Sequence, residues 1–316
     1  MEIDYTLRLY NYFMFIEKNN SHTEWYPINT NNLSIYYNNK CNYKLLEEFG
    51  KNFLSQGLNT QTYWLHKDDA IYKEFIEQLK QRYICITNGH MKLEYKNIGK
   101  LMENNNMDKI VYPLNYKWGL DVNYLQNKIN NTNHISLEIG AGFGGFANIY
   151  FTNTSVKKYF IVDIPTTSMV SGFFLLNNEH DIVFENEIEN IYDIINNNKK
   201  QIIFISPSYL LNLPENFIDI VINMDSMVEM NEPTISFYLI QIKRILKNNG
   251  YFWNSNCSKN KKYPYLFQNI NDLFYITHDF YTEPLINEKY DYDKSPERFN
   301  YNFTMDMFYR NILCSK

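Results

Sequence analysis

A glycine-rich turn between an apolar strand and a helix constrains the fold of this chain more than any other segment. The apolar run HISLEI (134–139) leads into LEIGAGFGG (137–145), which carries Gly140, Gly142, Gly144 and Gly145. Glycine lets a backbone turn tightly and lie against a ligand, because no Cβ stands in the way. The segment that follows, FGGFANIYF, has helical character. Loops of this kind bind ligands at the carboxyl ends of parallel strands, so the segment predicts a ligand-binding strand, loop and helix.

Apolar runs and helical segments alternate from about residue 111 onward. After HISLEI, the predicted strands are KKYFIVDI (157–164), QIIFIS (201–206), FIDIVIN (217–223) and YFWNSN (251–256). Two last strands would come from DLFYIT and FTMDMFYRNIL. The predicted helices include PTTSMVSGFFLLNN and NEPTISFYLIQIKRILKNNG (231–250), the second capped by Asn231 and stopped by Gly250. This alternation predicts an α/β fold in which helices cover both faces of a parallel sheet.

Residues 1–110 have a different pattern, in which apolar residues recur at helical spacing. The clearest examples are YKLLEEFGKNFL (43–54) and AIYKEFIEQLKQRY (70–83). We therefore predict a mostly helical N-terminal region over 1–110, followed by a sheet domain over 111–316. The N-terminal region is expected to provide an acceptor site, a lid or a dimerisation surface, the last of which would give a homodimer.

Composition excludes several classes of function. The formal net charge of -5 and a pI near 5.7 argue against a nucleic-acid binder, which needs a basic face for phosphates. The N-terminus lacks the cationic flank of a signal peptide. No apolar stretch approaches the ~18 residues that a membrane span requires. The cysteines are far apart, with no C-x-x-C pair, which is typical of the reducing cytoplasm. Taken together, these features predict a cytoplasmic protein that binds no nucleic acid and no membrane.

The glycine loop literally matches G-x-G-x-x-G through Gly140, Gly142 and Gly145, so a dinucleotide site must be considered. Glu138 counts against it, since its carboxylate would repel a pyrophosphate but would meet a ligand amino group well. Asp163 lies 23 residues after Gly140, at the end of the second strand. An acid at this place accepts hydrogen bonds from ribose hydroxyls in either class of cofactor. The alternative is that Asp163 only caps the helix that begins near Pro165.

The E-x-G-x-G pattern of Glu138, Gly140 and Gly142 resembles motif I of the S-adenosylmethionine-dependent methyltransferases. The resemblance implies a Rossmann-like seven-stranded methyltransferase sheet and S-adenosyl-L-methionine as the cofactor. Asp225 and Ser226 follow the fourth strand, which matches the family's strand four, and they would lie near the transferred methyl group. Ser206 and Pro207 end the third strand, where they would touch the adenine edge. The cofactor residues that we predict are Glu138, Gly140, Ala141, Gly142, Gly144, Asp163, Ile164, Ser206, Pro207, Asp225 and Ser226.

A narrower resemblance covers roughly residues 110–260. The segments NMDSMVEM and FWNSN, together with LEIGAGFGGFA and VDIP, look like the sugar O-methyltransferases of bacterial surface-polysaccharide loci. This resemblance implies transfer to a hydroxyl of a sugar or nucleotide-sugar in polysaccharide biosynthesis. Three alternatives remain. The acceptor could be a phosphate-type oxygen or another small metabolite, the protein could be a nicotinamide-dependent oxidoreductase, or it could be a partner subunit that has lost catalysis.

Methyl transfer to a hydroxyl needs a group that removes the acceptor's proton. Asp225 and Glu229 lie four residues apart, on one face if the chain is helical from Ser226. One carboxylate could be the base while the other orients a hydroxyl of the acceptor. Equally, both could be structural, with Asp225 as the cap of a helix and Glu229 as a solvent-exposed residue near its start. With a third oxygen ligand the pair could hold a divalent ion, but none is defined in the sequence, and we predict no metal site.

His278, in FYITHDF, is the third candidate for catalysis. Its segment is expected to return to the ligand edge of the sheet, and an unperturbed histidine pKa of about 6.5 suits proton removal near neutral pH. A lone histidine in an aromatic stretch is more often structural, so this alternative is kept.

Overall fold

The computed structural model describes residues 8–9, 11–12, 15, 70–96, 109–111, 114–129, 132–257, 262–282 and 309–316. The predicted helix over 43–54 lies outside these residues. The division of the chain near residue 110 and the role of the N-terminal region therefore stay predictions.

The helices and strands of the described residues are numbered in chain order. The helices are α1 Ala70–Thr87, α2 Leu114–Gln126, α3 Gly145–Asn153, α4 Pro165–Asn177, α5 Ile191–Asn196, α6 Glu232–Ile245 and α7 Tyr263–Leu273. The strands are β1 Tyr95–Lys96, β2 Lys109–Ile110, β3 Ile135–Ile139, β4 Lys158–Val162, β5 Ile182–Phe184, β6 Gln201–Ile205, β7 Ile218–Met224, β8 Leu246–Cys257, β9 Tyr275–Thr282 and β10 Tyr309–Ser315. Short 3₁₀ helices follow three of the strands, at Glu185–Glu187, Pro207–Asn212 and Met227–Glu229.

The chain forms two compact units, and the first takes its described residues from within Met1–Asn59, Glu94–Val111 and Thr132–Leu213. Its main sheet has four parallel strands in the order β5-β6-β4-β3. Every residue of β4 and β6 is buried, as expected for parallel strands covered on both faces. Because the strands are parallel, their carboxyl ends lie at one edge of the sheet, where the glycine loop also begins.

The second unit takes its described residues from within Thr60–Leu93, Tyr112–Asn131 and Pro214–Lys316. Here β7 and β8 pair in parallel, while β10 runs antiparallel to both β8 and β9. Helix α1 packs against α2, where a Cβ on Gly119 would come within 2.8 Å of the Tyr83 ring. Glycine at 119 therefore permits the close approach of the two helices.

The predicted α/β fold is confirmed, with one strand more than the seven expected in the main sheets. The described residues contain eight such strands, and the additional one is β5. Ile182–Phe184 is only three residues long, so it is too short to show the periodicity by which strands are recognised in a sequence. None of the helices in the described ranges has the length and apolar character that a membrane crossing requires.

Helix α6 ends earlier than the sequence indicates. Asn231 caps its start, as predicted, by accepting a hydrogen bond from the Thr234 N–H. The helix stops at Ile245, however, and β8 begins at Leu246 instead of Tyr251. A Cβ on Gly250 would lie 2.9 Å from the Asp219 carbonyl oxygen. Gly250 thus allows β8 to approach β7 closely, and it does not end the helix.

Candidate functional site

Three glycines of the loop between β3 and α3 adopt left-handed backbone conformations. Their φ angles are +75° at Gly140, +56° at Gly142 and +91° at Gly144. These values are rare for residues with a side chain, which explains the glycines physically. A Cβ on Gly142 would meet no described atom within 4 Å, so the loop borders open space at this residue.

Hydrogen bonds fix the loop against the end of the sheet. The Gly140 N–H donates to the Val162 carbonyl at 2.9 Å, and the Gly144 N–H donates to the Ala141 carbonyl at 2.9 Å. The Gly142 N–H donates to Asp163 Oδ2 at 3.2 Å. The loop is therefore held in shape before any ligand arrives.

Asp163 lies directly after β4 and is buried. Its Oδ1 accepts from the N–H of Ile164 at 2.8 Å, while its Oδ2 accepts from the glycine loop. Helix α4 has Ile164 as its N-cap, without a side-chain capping bond. Asp163 therefore fastens the glycine loop and does not cap α4, the alternative left open by the sequence.

Glu138 is almost completely buried near the end of β3, with 1% of its surface exposed. The Tyr159 hydroxyl donates to its Oε2 at 2.9 Å, and no described hydrogen bond reaches Oε1. Burial raises the pKa of Glu138 to about 8; the hydrogen bond from Tyr159 opposes this shift, and the nearby negative charge of Asp163 adds to it. The carboxyl is thus poised to lose its proton when a cation comes close.

Sequence reasoning missed a third acid at this edge of the first unit. Glu185 follows β5 directly, and its Oε2 accepts from the backbone N–H of Ser206 at 2.5 Å. Burial raises the pKa of Glu185, while the bonds from Ser206 oppose the shift. The structure thereby connects the predicted Ser206 to an acid on the neighbouring strand. An acid immediately after the short apolar run IVF was the available signal.

Tyr12 is the second residue that the sequence did not indicate. Its side chain is fully buried and stacks on Phe184 with ring centroids 4.8 Å apart. Burial raises the pKa of Tyr12 well above its usual value, and the negative charges of Glu185 and Asp163 add to this effect. Tyr12 therefore lies within electrostatic reach of two acids at the sheet edge.

In the second unit, Asp225 and Ser226 form the turn after β7. Asp225 has a φ of +59°, and its N–H donates to the Ser255 carbonyl at 2.8 Å. The side chain of Asn223 donates to Ser226 Oγ at 2.5 Å and in turn accepts from Asn256 Nδ2 at 2.8 Å. Two buried asparagines thus brace the turn that carries Asp225.

Glu229 ends the 3₁₀ helix Met227–Glu229, which is shorter than the helix that the sequence suggested. Partial burial raises the pKa of Glu229, Asp225 raises it further, and Lys262 opposes both. Asp225 and Glu229 are therefore close enough to interact. Ser226, not Asp225, stands at the N-cap of this helix.

His278 lies within β9, paired with Leu313, which also pairs with Trp253 of β8. The imidazole is exposed, with Lys128 Nζ 3.2 Å from Nε2 and the Tyr124 ring centroid 6.1 Å away. It contacts residues of α2 and its turn, and it forms no described bond to Asp225 or Glu229. Across the described ranges, no group of three or more His, Cys, Asp or Glu side chains is arranged to hold a metal ion.

The chain is similar to several solved structures at low sequence identity. No family model matches the sequence, and no curated protein matches it. Among solved structures, the [4+2]-cyclase SpnF is similar at 12% identity with a TM-score of 0.42, covering 75% of this chain and 92% of that one. A TehB-like SAM-dependent methyltransferase from Corynebacterium glutamicum is similar at 9% identity with a TM-score of 0.41, covering 77% and 99%. A SAM-dependent methyltransferase from Aquifex aeolicus is similar at 14% identity with a TM-score of 0.37, covering 60% and 86%.

Proposed function

We propose that this protein is an S-adenosyl-L-methionine-dependent methyltransferase that holds its cofactor at the carboxyl ends of β3, β4, β5 and β6. The observation that carries the proposal is the buried carboxyl of Glu138, which has Oε2 bound by Tyr159 and leaves Oε1 available. It stands two residues before a preshaped glycine loop. An ammonium group is the natural partner for such a carboxylate.

The other groups at this edge suit the remaining parts of the cofactor. Asp163 presents carboxylate oxygens beside the loop, and such oxygens accept hydrogen bonds from ribose hydroxyls. Glu185 and Ser206 would border the adenine ring. The open space beside Gly142 leaves room for a ligand against the backbone. The carboxylate of Glu138 beside the loop disfavours a pyrophosphate, so it supports a cofactor with a cationic amino group over a dinucleotide.

The cofactor would supply the electrophilic methyl group, so the protein needs to align an acceptor and remove its proton. Asp225 and Glu229 are our candidates for that proton transfer. The pKa of Glu229 is raised toward neutral pH, and a carboxylate with a pKa closer to the working pH is a more effective general base. His278 stays the third candidate.

For the acceptor we propose a hydroxyl of a sugar or nucleotide-sugar in surface polysaccharide biosynthesis. The support is the likeness of NMDSMVEM and FWNSN to sugar O-methyltransferases. A neutral hydroxyl also suits a proton acceptor made of carboxylates, since it brings no charge that they would repel. Mass spectrometry of nucleotide-sugars, phosphorylated sugars and small metabolites incubated with the cofactor would test this. Methylation confined to a phosphate-type oxygen would overturn the sugar proposal and keep the methyltransferase.

Calorimetric titration with S-adenosylhomocysteine tests the cofactor proposal directly. We expect the wild type to bind and Gly142→Ala to bind at least about tenfold more weakly, because its Cβ enters the space beside the loop. Gly89→Ala is the matched control, since Gly89 has a φ of +66° and equally open surroundings but lies in the second unit. Absence of binding to the folded wild type would overturn the proposal, and a response to NADH instead would favour an oxidoreductase.

A further inference from the structure

Tyr159 is a fully buried residue inside β4 that no sequence motif indicated. In the parallel pairing of β3 and β4, Tyr159 is opposite Ser136, and Glu138 is opposite Ile161. The phenol of Tyr159 extends along the sheet to the carboxyl that stands two residues further along β3. It leaves the second carboxyl oxygen, Oε1, without a described partner.

We infer that Tyr159 is a positioning residue for the cofactor's amino group, because its hydroxyl fixes the Glu138 carboxylate and favours the charged form that an ammonium requires. This inference rests on the proposed function. It concerns one residue that touches the cofactor only through another.

A second buried tyrosine explains how Tyr159 is held. Tyr150 of α3 packs on it with ring centroids 5.3 Å apart. The Tyr150 hydroxyl accepts from Ser136 Oγ at 3.2 Å and shares a hydrogen bond of 2.8 Å with His134 Nε2. No described bond joins Tyr150 to Glu138. The two phenols are therefore neighbours of similar burial, and only Tyr159 contacts the acid.

The groups that set the charge of Glu138 act in opposite directions. Burial and the nearby Asp163 raise the pKa of Glu138 to about 8, and the hydrogen bond from Tyr159 lowers it. Tyr150 acts on Tyr159, whose pKa it raises together with burial and Glu138. Removal of the Tyr159 hydroxyl must therefore raise the pKa of Glu138 further, so a larger fraction of Glu138 is protonated at neutral pH.

The consequence is a pH profile that a purely structural role would not change. Below the pKa of Glu138, an ammonium ligand must displace the carboxyl proton, so affinity rises with pH and then levels off. We expect Tyr159→Phe to move this rise to higher pH and to weaken S-adenosylhomocysteine binding at pH 7 by about tenfold or more, as for loss of a hydrogen bond to a charged group. Tyr150→Phe is the matched control, since it deletes a buried phenol hydroxyl that does not touch Glu138.

The experiment is calorimetric titration with S-adenosylhomocysteine from pH 6 to pH 8.5, in buffers of different ionisation enthalpy so that proton release is counted. The inference would be overturned if Tyr159→Phe and Tyr150→Phe shifted the pH profile equally. It would also be overturned if a folded Tyr159→Phe kept the wild-type profile. Glu138→Gln gives a second test that does not depend on the stability of Tyr159→Phe, and in it the proton release must disappear. If Glu138→Gln still released a proton on binding, the inference would be overturned and the proposed function would stand. If the wild type did not bind S-adenosylhomocysteine, both would be overturned.

Discussion

The backbone N–H of Gly142 donates to the carboxylate of Asp163 across the space between two neighbouring strand ends, at 3.2 Å. One residue thus performs two tasks, because the acid that is proposed to bind ribose also holds the loop on which the cofactor lies. A carboxylate oxygen has more than one acceptor site, so both contacts can be made together.

Replacing Asp163 by Ala is therefore expected to impair binding through both tasks. The variant removes the acceptor of the Gly142 and Ile164 N–H groups as well as the proposed ribose contact. We expect S-adenosylhomocysteine affinity to fall by about 100-fold or more, as for loss of two charge-assisted hydrogen bonds. Calorimetry at pH 7.5 measures this. Asp193→Ala removes an exposed carboxylate from α5 in the same unit and is expected to bind like the wild type.

Local signals made part of this site predictable from sequence. Gly140, Gly142 and Gly144 are required by left-handed backbone angles, and Asp163 stands at the end of a recognisable strand. Both features depend on residues close together in the chain. The relation of Asp163 to Gly142 needed only the assumption that strands β3 and β4 are parallel neighbours.

Tertiary contacts made the rest unpredictable. Tyr159 sits within the apolar run KYFIV, where its hydroxyl has no visible purpose until β3 is placed beside it. Glu185 follows a strand too short to be recognised. The brace of Asn223 and Asn256 joins residues 33 positions apart, in a chain where asparagine is too common to attract notice.

The charge state of Glu138 also predicts a pH dependence of stability. Its pKa rises from 4.5 to about 8 in the folded state, so folding favours the protonated carboxyl. The resulting stabilisation is complete below the unfolded pKa and is lost as pH rises through about 8. We expect Glu138→Gln, which is always neutral, to gain free energy of unfolding relative to the wild type between pH 5 and pH 8.

Urea unfolding of both proteins at several pH values tests this expectation. Glu189→Gln removes an exposed carboxylate of the first unit and serves as the control, with a difference from wild type that changes little with pH. A Glu138→Gln difference that is the same at pH 5 and pH 8 would contradict the prediction.

Tyr12 is expected to matter for both stability and binding. Its fully buried ring stacks on Phe184. Arg8 lies over the Phe184 ring and pairs with Glu187 through bonds of 2.6 and 2.7 Å. Tyr12→Ala should lower the free energy of unfolding by about 3–5 kcal/mol, as for other buried aromatic side chains. It should also weaken S-adenosylhomocysteine binding, since it opens a cavity beside Phe184 and Glu185. Tyr192→Ala, at a side chain that is 56% exposed, should change neither property.

Glu229 should affect catalysis more than cofactor binding, and Asp225 should affect catalysis through the pKa of Glu229. Asp225 raises the pKa of Glu229, so Asp225→Asn is expected to lower it and to move the acidic limb of the rate profile toward lower pH. Glu229→Gln should abolish that limb and reduce kcat by about 100-fold, within the range of a lost general base. Rates across pH 5–9 with the acceptor found by mass spectrometry measure both effects. Titration of Glu229→Gln with S-adenosylhomocysteine should show an affinity within about threefold of wild type. Glu215→Gln, at an exposed residue of the same unit, should keep the wild-type profile. An unchanged acidic limb in Glu229→Gln would exclude Glu229 as the base and direct the same experiment to His278→Gln.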